Sequence, residues 1–361
     1  MIADHGRRPM TSRSADDSPI RPMTRRPAIR RPPPRRPADD ARTLRPMPRP
    51  LAPCARIACA LAACALAACD AALDQRLAIV DRPRILAVIA EPAEARPGDR
   101  VQYTAVVAAP DGPAGEPLRW AYCLAPRPPT EDNAVSAACL DRAALVDLGS
   151  APAIAASLPA QGCLTFGPET PPGNFRPRDP DATGGYYQPI RADLGELVAF
   201  GLSRITCKLA TAPGPVAHDY DLHYVANRNP TIATVELAGP DGSMPPDSAD
   251  RPGGAPTSFT APADRDVVLT ASWPADAAEH YLAYDPLSQT LTDRREAMRL
   301  SWFATGGALA VDASAVAEAD AATQVSTTWH TPAAGPATLW LVLRDSRGGI
   351  ASVTVAVTIV P

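Results

Sequence analysis

The residues best suited to chemistry lie in the stretch HDYDLHY, residues 218–224. On a β-strand, alternation would place Asp219, Asp221 and His223 on one face and the remaining side chains on the other. Two carboxylates and an imidazole in a row could bind a divalent cation and activate water for hydrolysis. The same alternation is typical of any strand with one solvated and one buried face, which is the favoured interpretation. The sequence therefore predicts that no metal ion or other cofactor is bound. The candidate ligands of the disfavoured metal site are these three residues.

A second candidate is a recognition loop in the stretch AEHYLAYDPLSQTLTDRREAM, residues 278–298. Exposed tyrosines with polar neighbours suit a binding surface, and loops on rigid β-sandwiches often carry function. The segments YLAYD and TLTD have strand composition, so an additional hairpin is the favoured alternative. The residues that would contact a ligand are His280, Tyr281, Tyr284 and Asp285.

Common catalytic patterns are missing from the sequence. It contains no G-x-S-x-G, no H-E-x-x-H and no phosphate-binding loop, the motifs of several hydrolase and nucleotide-binding families. Asp312 and Asp345 lie near predicted strand ends, but no D-x-D-x-D run accompanies them, so turn formation is favoured over calcium binding. We therefore expect a protein without catalytic activity.

Residues 47–68 have the features of an export signal. Arg49 and Arg56 form a short positive region, and an uncharged run of small and apolar residues follows at 57–68. This run is too short for a membrane-spanning helix, which needs about 20 apolar residues. It contains the sequence Leu-Ala-Ala-Cys twice, ending at Cys64 and at Cys69.

This pattern resembles the lipobox of bacterial lipoproteins, which reads Leu, two small residues and Cys. The resemblance implies that the cysteine receives a diacylglycerol, that the chain is cleaved before it, and that the new amino group is acylated. Cys69 is favoured over Cys64 because it leaves a longer apolar region and because Asp70 ends that region directly after it. The implied location is the cell envelope, anchored by lipid and facing an extracytoplasmic space, at either the inner or the outer membrane.

The charge of the chain is divided unevenly. Residues 1–50 carry 13 Arg and 5 Asp, together with 11 of the 43 prolines, and the whole chain has a net charge of −4. A basic, proline-rich leader cannot bury apolar surface and should be disordered; a translation start at Met47 is the favoured explanation for it. The remainder of the chain is acidic, which argues against nucleic acid as a partner. The expected partners are a membrane, through the lipid, and a protein or glycan at the envelope.

Four cysteines follow the signal. An even number of cysteines in an oxidising compartment predicts two disulfides, with three connectivities open. Sequential pairing closes the shorter loops and is favoured. A zinc site is disfavoured because none of the spacings is C-x₂₋₄-C. These residues are Cys123, Cys139, Cys163 and Cys207.

Alternating apolar residues predict two β-rich modules. In the first, strands are expected near 85–90 and 101–108 and around a core tryptophan, Trp120, and the pattern returns at 196–210 and 218–226. Between these strands, residues 124–190 read as a long irregular insertion stapled by disulfides, with one short helix at 137–147.

The second module repeats the order of the first. Its opening strand lies in TIATVELAGPDGS, its third strand carries Trp302, and its closing hairpin, ATLWLVLRDSRGGIASVTVAVTIV, turns at Gly348-Gly349. The predicted organisation is a leader, a signal peptide, a lipidated tether and two modules joined at NRNP: 1–46, 47–68, 69–83, 84–226 and 227–361.

The strand order is similar to that of immunoglobulin-like and polycystic-kidney-disease-type β-sandwiches of bacterial surface proteins. It is also similar to that of poorly characterised Ig-like lipoproteins of GC-rich predatory and soil bacteria. The expected fold is all-β, with two tandem immunoglobulin-like domains, and the expected function is structural, adhesive or ligand-binding. The alternatives are an accessory subunit of an envelope assembly and a metal-dependent extracytoplasmic hydrolase that uses Asp219, Asp221 and His223.

Overall fold

The computed structural model describes residues 77–115, 117–126, 134–167, 183–209, 212–240, 242–247 and 258–361. The leader, the signal peptide and both lipidation candidates, Cys64 and Cys69, lie outside these residues. No helix in the described part of the chain is long and apolar enough to cross a membrane. The described residues form two β-sandwiches, which we call module 1 and module 2.

Module 1 is built from nine strands in two sheets. In the first sheet, β3 pairs with β1, β4 and β7, and the second sheet has the order β2-β9-β8-β5-β6. The strands are β1 (Arg84–Glu91), β2 (Glu94–Ala95), β3 (Arg100–Ala109), β4 (Gly112–Pro113), β5 (Leu118–Cys123), β6 (Leu145–Ala151), β7 (Ala153–Ser157), β8 (Gly185–Leu194) and β9 (Leu197–Thr206).

Module 2 repeats this arrangement. One sheet has the order β11-β10-β13-β19-β17, the facing sheet has the order β12-β21-β20-β16-β18, and β14 and β15 form a separate hairpin. The strands are β10 (Thr234–Gly239), β11 (Gly242–Met244), β12 (Ser258–Pro262), β13 (Asp266–Ser272), β14 (His280–Asp285), β15 (Thr290–Arg295), β16 (Met298–Ala304), β17 (Ala308–Leu309), β18 (Ala313–Val316), β19 (Gln324–His330), β20 (Gly335–Asp345) and β21 (Ile350–Val360).

The two modules share one topology. In each, a short strand pairs in parallel with the last strand, β2 with β9 and β12 with β21, and the other ladders are antiparallel. The third main strand of each module buries a tryptophan, Trp120 and Trp302, in the core between the sheets. These are the features of immunoglobulin-like sandwiches, so the predicted fold class is confirmed.

The closing hairpin of module 2 is formed as the sequence predicts. Strands β20 and β21 pair over ten residues, from Gly335 opposite Ile359 to Arg344 opposite Ile350. Gly348 has a positive φ of 103°, which favours glycine. At Gly349 a Cβ atom would lie 2.1 Å from the Asp345 carboxylate, so the turn also needs a residue without a side chain.

The predicted insertion in module 1 is crosslinked by disulfides, but it is not irregular throughout, because strands lie within it. Strands β6 and β7 lie within the predicted range 124–190, and β8 begins at Gly185. The predicted helix at 137–147 is wrong: two 3₁₀ turns, Ala137–Leu140 and Arg142–Ala144, occupy its first part, and Leu145 then begins β6. A four-residue helix, α1 (Gly162–Thr165), follows β7. Small residues conceal these strands because alanine and glycine give little hydrophobic contrast between faces.

The predicted strand at 218–226 is also wrong. Residues Gly214–Leu222 form an α-helix, α2, with a proline in its first turn, where the missing N–H costs nothing. Tyr220 and Tyr224 lie one turn apart on the inner side, with ring centroids 5.3 Å apart. On the helix, Tyr220 and Tyr224 face the protein whereas Leu222 is exposed, so the alternation in HDYDLHY does not correspond to a buried face.

Candidate functional site

The helix separates the residues proposed as metal ligands. Positions two residues apart on an α-helix are rotated by about 200° around its axis and so point in nearly opposite directions; Asp219 and Asp221 therefore do not share a face. His223 Nδ1 lies 3.1 Å from the carboxylate of Asp219, and both side chains are exposed. The described residues contain no group of three or more His, Cys, Asp or Glu side chains placed to hold a metal ion. The geometry gives the hydrolase alternative no support.

The second set of candidates forms the hairpin that the sequence favoured. His280 is exposed and pairs with Asp293 across the ladder. Tyr281 and Tyr284 are buried, and the Tyr281 ring packs 4.7 Å from the guanidinium of Arg347. Asp285 accepts hydrogen bonds from Leu287 N and Ser288 Oγ in the turn, and these bonds lower the pKa of its carboxyl group. The tyrosines are thus structural, and His280 and Asp285 are the members of the set that reach the surface.

The two cysteine pairs are the sequential pairs that the sequence favoured. Cys123 is bonded to Cys139 and Cys163 to Cys207, at sequence separations of 16 and 44. The first disulfide ties the 3₁₀ turns to β5, and Arg191 donates to the carbonyls of Cys139 and Leu140 from the neighbouring strand. The loop is therefore held by a covalent bond and by a buried arginine.

The modules meet through an apolar cluster. Leu86, Ala87 and Ala108 of module 1 contact Trp340 and Val342 of module 2, and all five are buried. The indole of Trp340 is fully buried although it lies outside the main core of module 2. The outer faces of two sheets thus form a third core between the modules.

The segment before β1 also belongs to this junction. Ile79 forms a parallel bridge with Ala304, and Val80 N donates to the Ala304 carbonyl at 2.8 Å. Ala78 packs in the core of module 2 and Val80 in the cluster between the modules. The chain therefore contacts module 2 before it enters module 1.

The predicted linker NRNP is bonded to both modules through its two asparagines. Asn227 N donates to Glu94 of module 1 at 2.8 Å, and its side-chain amide donates to Asp345 of module 2. Asn229 donates to the Ala90 carbonyl and accepts from Ile350 N, at 2.7 and 2.8 Å. Each asparagine bonds both modules at once, which fixes the angle between them.

Two buried arginines organise the charges around this linker, and we call these residues the junction network. Arg204 lies 3.0 Å from Glu94, with both side chains at most 1% exposed. Arg347 contacts Glu279 at 3.0 Å and Glu296 at 2.7 Å, and it donates to the carbonyl of Val225, which precedes the linker. Buried charges are tolerated only when paired and hydrogen-bonded in this way.

Around Arg347, carboxylates outnumber buried cations. The carboxylates of Glu279 and Glu296 contact its guanidinium, and that of Asp345 accepts from its backbone N–H. A second arginine, Arg228, contacts Glu279 but is largely exposed. Burial, with the charge of Asp345 second, raises the pKa of Glu296 to about 7. Burial also raises the pKa of Asp345. Glu296 is therefore the group of the junction network that titrates near neutral pH.

Asp345 serves the turn and the linker. Its carboxylate accepts from Arg347 N and Gly349 N, each at 2.8 Å, and from the Asn227 amide. Asp312 contributes its backbone carbonyl to Trp302 N. Both placements agree with turn and strand-end roles for these aspartates.

Beside the junction network lies a groove of about 370 Å³ between the modules. One wall is formed by β1 and β9, and the other by the β20–β21 turn. Its apolar lining includes Val88, Phe200, Leu202 and Ile350, with Arg344 as the cation among them.

No protein-family model and no curated protein matches this chain. Among solved structures, the D00-D0 domain of intimin is 11% identical, with 78% of this chain and 99% of that chain covered and a TM-score of 0.21. The D0-D1 domain of intimin is 11% identical, with 76% and 98% covered and a TM-score of 0.18. The Yersinia pseudotuberculosis adhesin InvE is 11% identical, with 76% and 58% covered and a TM-score of 0.17. The immunoglobulin-like assignment rests on the strand order and the parallel pairings.

Proposed function

We propose that this chain is a lipid-anchored protein of the bacterial envelope that presents two immunoglobulin-like modules as one rigid body. Its role is structural, adhesive or ligand-binding, without catalysis. The observation that carries the proposal is the junction, where the linker and residues 77–80 are bonded into both modules. Modules in tandem ordinarily move relative to each other. A fixed angle between them suits a protein that presents a binding or structural surface at a defined position relative to its anchor.

Two further features support this assignment. Disulfides such as Cys123–Cys139 and Cys163–Cys207 are typical of compartments outside the cytoplasm. Cys69 lies eight residues before Leu77, where the described chain begins, and eight residues span at most about 28 Å when fully extended. Acylation at Cys69 would therefore hold the rigid body close to the membrane surface.

The test is metabolic labelling with an alkyne-bearing palmitate in a bacterial host that processes lipoproteins, followed by membrane fractionation. We expect the wild-type chain to be labelled and to sediment with membranes. Cys69→Ala should lose the label and the sedimentation, whereas Cys64→Ala, the matched control in the other Leu-Ala-Ala-Cys, should keep both. Label that persists in Cys69→Ala, or a wild-type chain that stays unlabelled, would overturn the anchor.

A further inference from the structure

The groove between the modules contains a cation whose charge is not compensated. Arg344 lines the groove and is half-buried. One of its terminal nitrogens donates to the Leu86 carbonyl of β1 at 2.8 Å. In the part of the chain that the structure describes, Arg344 has no carboxylate partner, in contrast to the buried arginines Arg204 and Arg347.

The charged groups near Arg344 do not offer it a partner. Asp345, the next residue, also lines the groove, but its carboxylate is occupied by Arg347 N, Gly349 N and the Asn227 amide. Arg299 lies opposite on β16 and is itself a cation. Burial, with Arg299 second, lowers the pKa of the Arg344 guanidinium. A half-buried cation beside an apolar surface is a costly arrangement that an anion would relieve.

We propose that this groove binds a carboxylate with a linear alkyl chain, such as a medium-chain fatty acid, with the carboxylate on Arg344 and the chain along Val88, Phe200, Leu202 and Ile350. The volume of about 370 Å³ lies within the range of small-molecule sites, roughly 300–1,000 Å³. The apolar wall buries methylenes, each of which contributes about 0.8 kcal/mol. The single cation then fixes the orientation of the ligand.

An alkyl chain fits this groove better than an extended peptide. A bound strand would need partners for its N–H and C=O groups. On the side of β1, the carbonyls of Leu86 and Ala90 are already taken by Arg344 and Asn229. Gly201 of β9 lies so close to Val88 that a Cβ atom there would approach within 2.7 Å. β1 and β9 therefore leave no ladder position between them, whereas a hydrocarbon chain needs none.

The test is calorimetric titration of decanoate into the full chain carrying Cys69→Ala, which removes the proposed acylated sulfur so that no detergent competes for the groove. Decanoate should bind saturably at one site. Arg344→Gln keeps a donor for the Leu86 carbonyl without the charge, and it should weaken binding about 10-fold or more. Leu202→Trp fills the groove and should abolish binding. Arg265→Gln is the matched control, an exposed arginine outside the lining of the groove, and should change the affinity less than twofold.

Circular dichroism first checks that each variant is folded like the parent chain. Arg344→Gln then tests the contact with the carboxylate, and Leu202→Trp independently tests the space for the alkyl chain. Absence of saturable binding to the parent chain overturns the proposal. So does equal weakening by Arg344→Gln and Arg265→Gln, which would mean a nonspecific charge effect. An apolar peptide that binds with its carboxyl terminus amidated, and that competes with decanoate, would assign the groove to a peptide instead.

Discussion

At the scale of single residues, the most consequential side chain is Arg347. Its three nitrogens bond Glu296, Glu279 and the Val225 carbonyl, and its guanidinium packs over the Tyr281 ring. One side chain thus connects the base of the β14–β15 hairpin to the segment that enters the linker. Two glutamates on one arginine leave an excess of buried negative charge, which a proton can offset.

The excess charge predicts a pH dependence carried by Glu296. Its pKa in the folded protein is about 7, above the ordinary value of about 4.3 for an unfolded chain. The folded state therefore binds the proton more tightly, so the contribution of Glu296 to stability is fully present below about pH 4.3 and is lost as the pH rises to about 7. Glu296→Gln, which stays neutral, should remove this part of the decline, worth up to about 4 kcal/mol.

The measurement is the free energy of unfolding in urea at pH 5, 6, 7 and 8 for the full chain. Glu236→Gln on β10, an exposed glutamate, is the matched control and should follow the wild-type pH profile. The pKa of Asp345 is also raised by burial, and this acts in the same direction. Some dependence of the unfolding free energy on pH should therefore remain in Glu296→Gln. A Glu296→Gln profile parallel to wild type over pH 5–7 would contradict the assignment.

The residues of the junction network could not be predicted from the sequence. Glu94 meets Arg204 across 110 residues, and Asn227 meets Asp345 across 118. No local pattern records such pairings, and the segment NRNP has the polar composition of a solvated linker. The burial of Asn227 follows from the packing of the modules, which hydrophobic periodicity within one strand does not report.

At the scale of elements, the sequence predicts strands well where the side chains are large. The alternation of Leu339, Leu341 and Leu343 locates β20, and all three are buried. Prediction fails at β6 and β7, where LVDLGSA and AIAAS show little contrast. It also fails at α2, because Asp219, Asp221 and His223 mimic a period of two over a segment too short to reveal a period of 3.6.

The insertion predicts a ranking of the two disulfides. A crosslink that closes a longer loop removes more entropy from the unfolded chain. The 16-residue separation of Cys123–Cys139 corresponds to about 3 kcal/mol and the 44-residue separation of Cys163–Cys207 to about 4 kcal/mol. Removing the longer crosslink should therefore cost more stability.

Cys123→Ala with Cys139→Ala, and Cys163→Ala with Cys207→Ala, are the variants to compare by urea unfolding under non-reducing conditions. Each double variant keeps the other disulfide intact and so serves as its control. The reverse ranking, or stability unchanged in both, would show that native contacts such as those of Arg191 hold the insertion without help from the crosslinks.

At the scale of the whole molecule, the two modules are joined by more than a covalent linker. The apolar cluster, the junction network and residues 77–80 all connect them. Because opening the junction would expose Trp340 and leave Arg347 without the Val225 carbonyl, neither module can unfold without a penalty to the other. The sequence predicted two modules in tandem, and the structure adds that their interface is part of the core.

This coupling predicts a single cooperative unfolding transition for the full chain, with a calorimetric enthalpy equal to the van't Hoff enthalpy. Trp340→Ala removes the largest side chain of the cluster, and loss of a buried tryptophan typically costs about 3–5 kcal/mol. We expect it to separate the transition into two, measured by scanning calorimetry, because Trp340 lies outside the main core of module 2. Val268→Ala, an exposed position on β13, should leave one transition. Two transitions in the wild-type chain would mean that the modules are energetically independent, and the rigid body proposed for the envelope would then lack its physical basis.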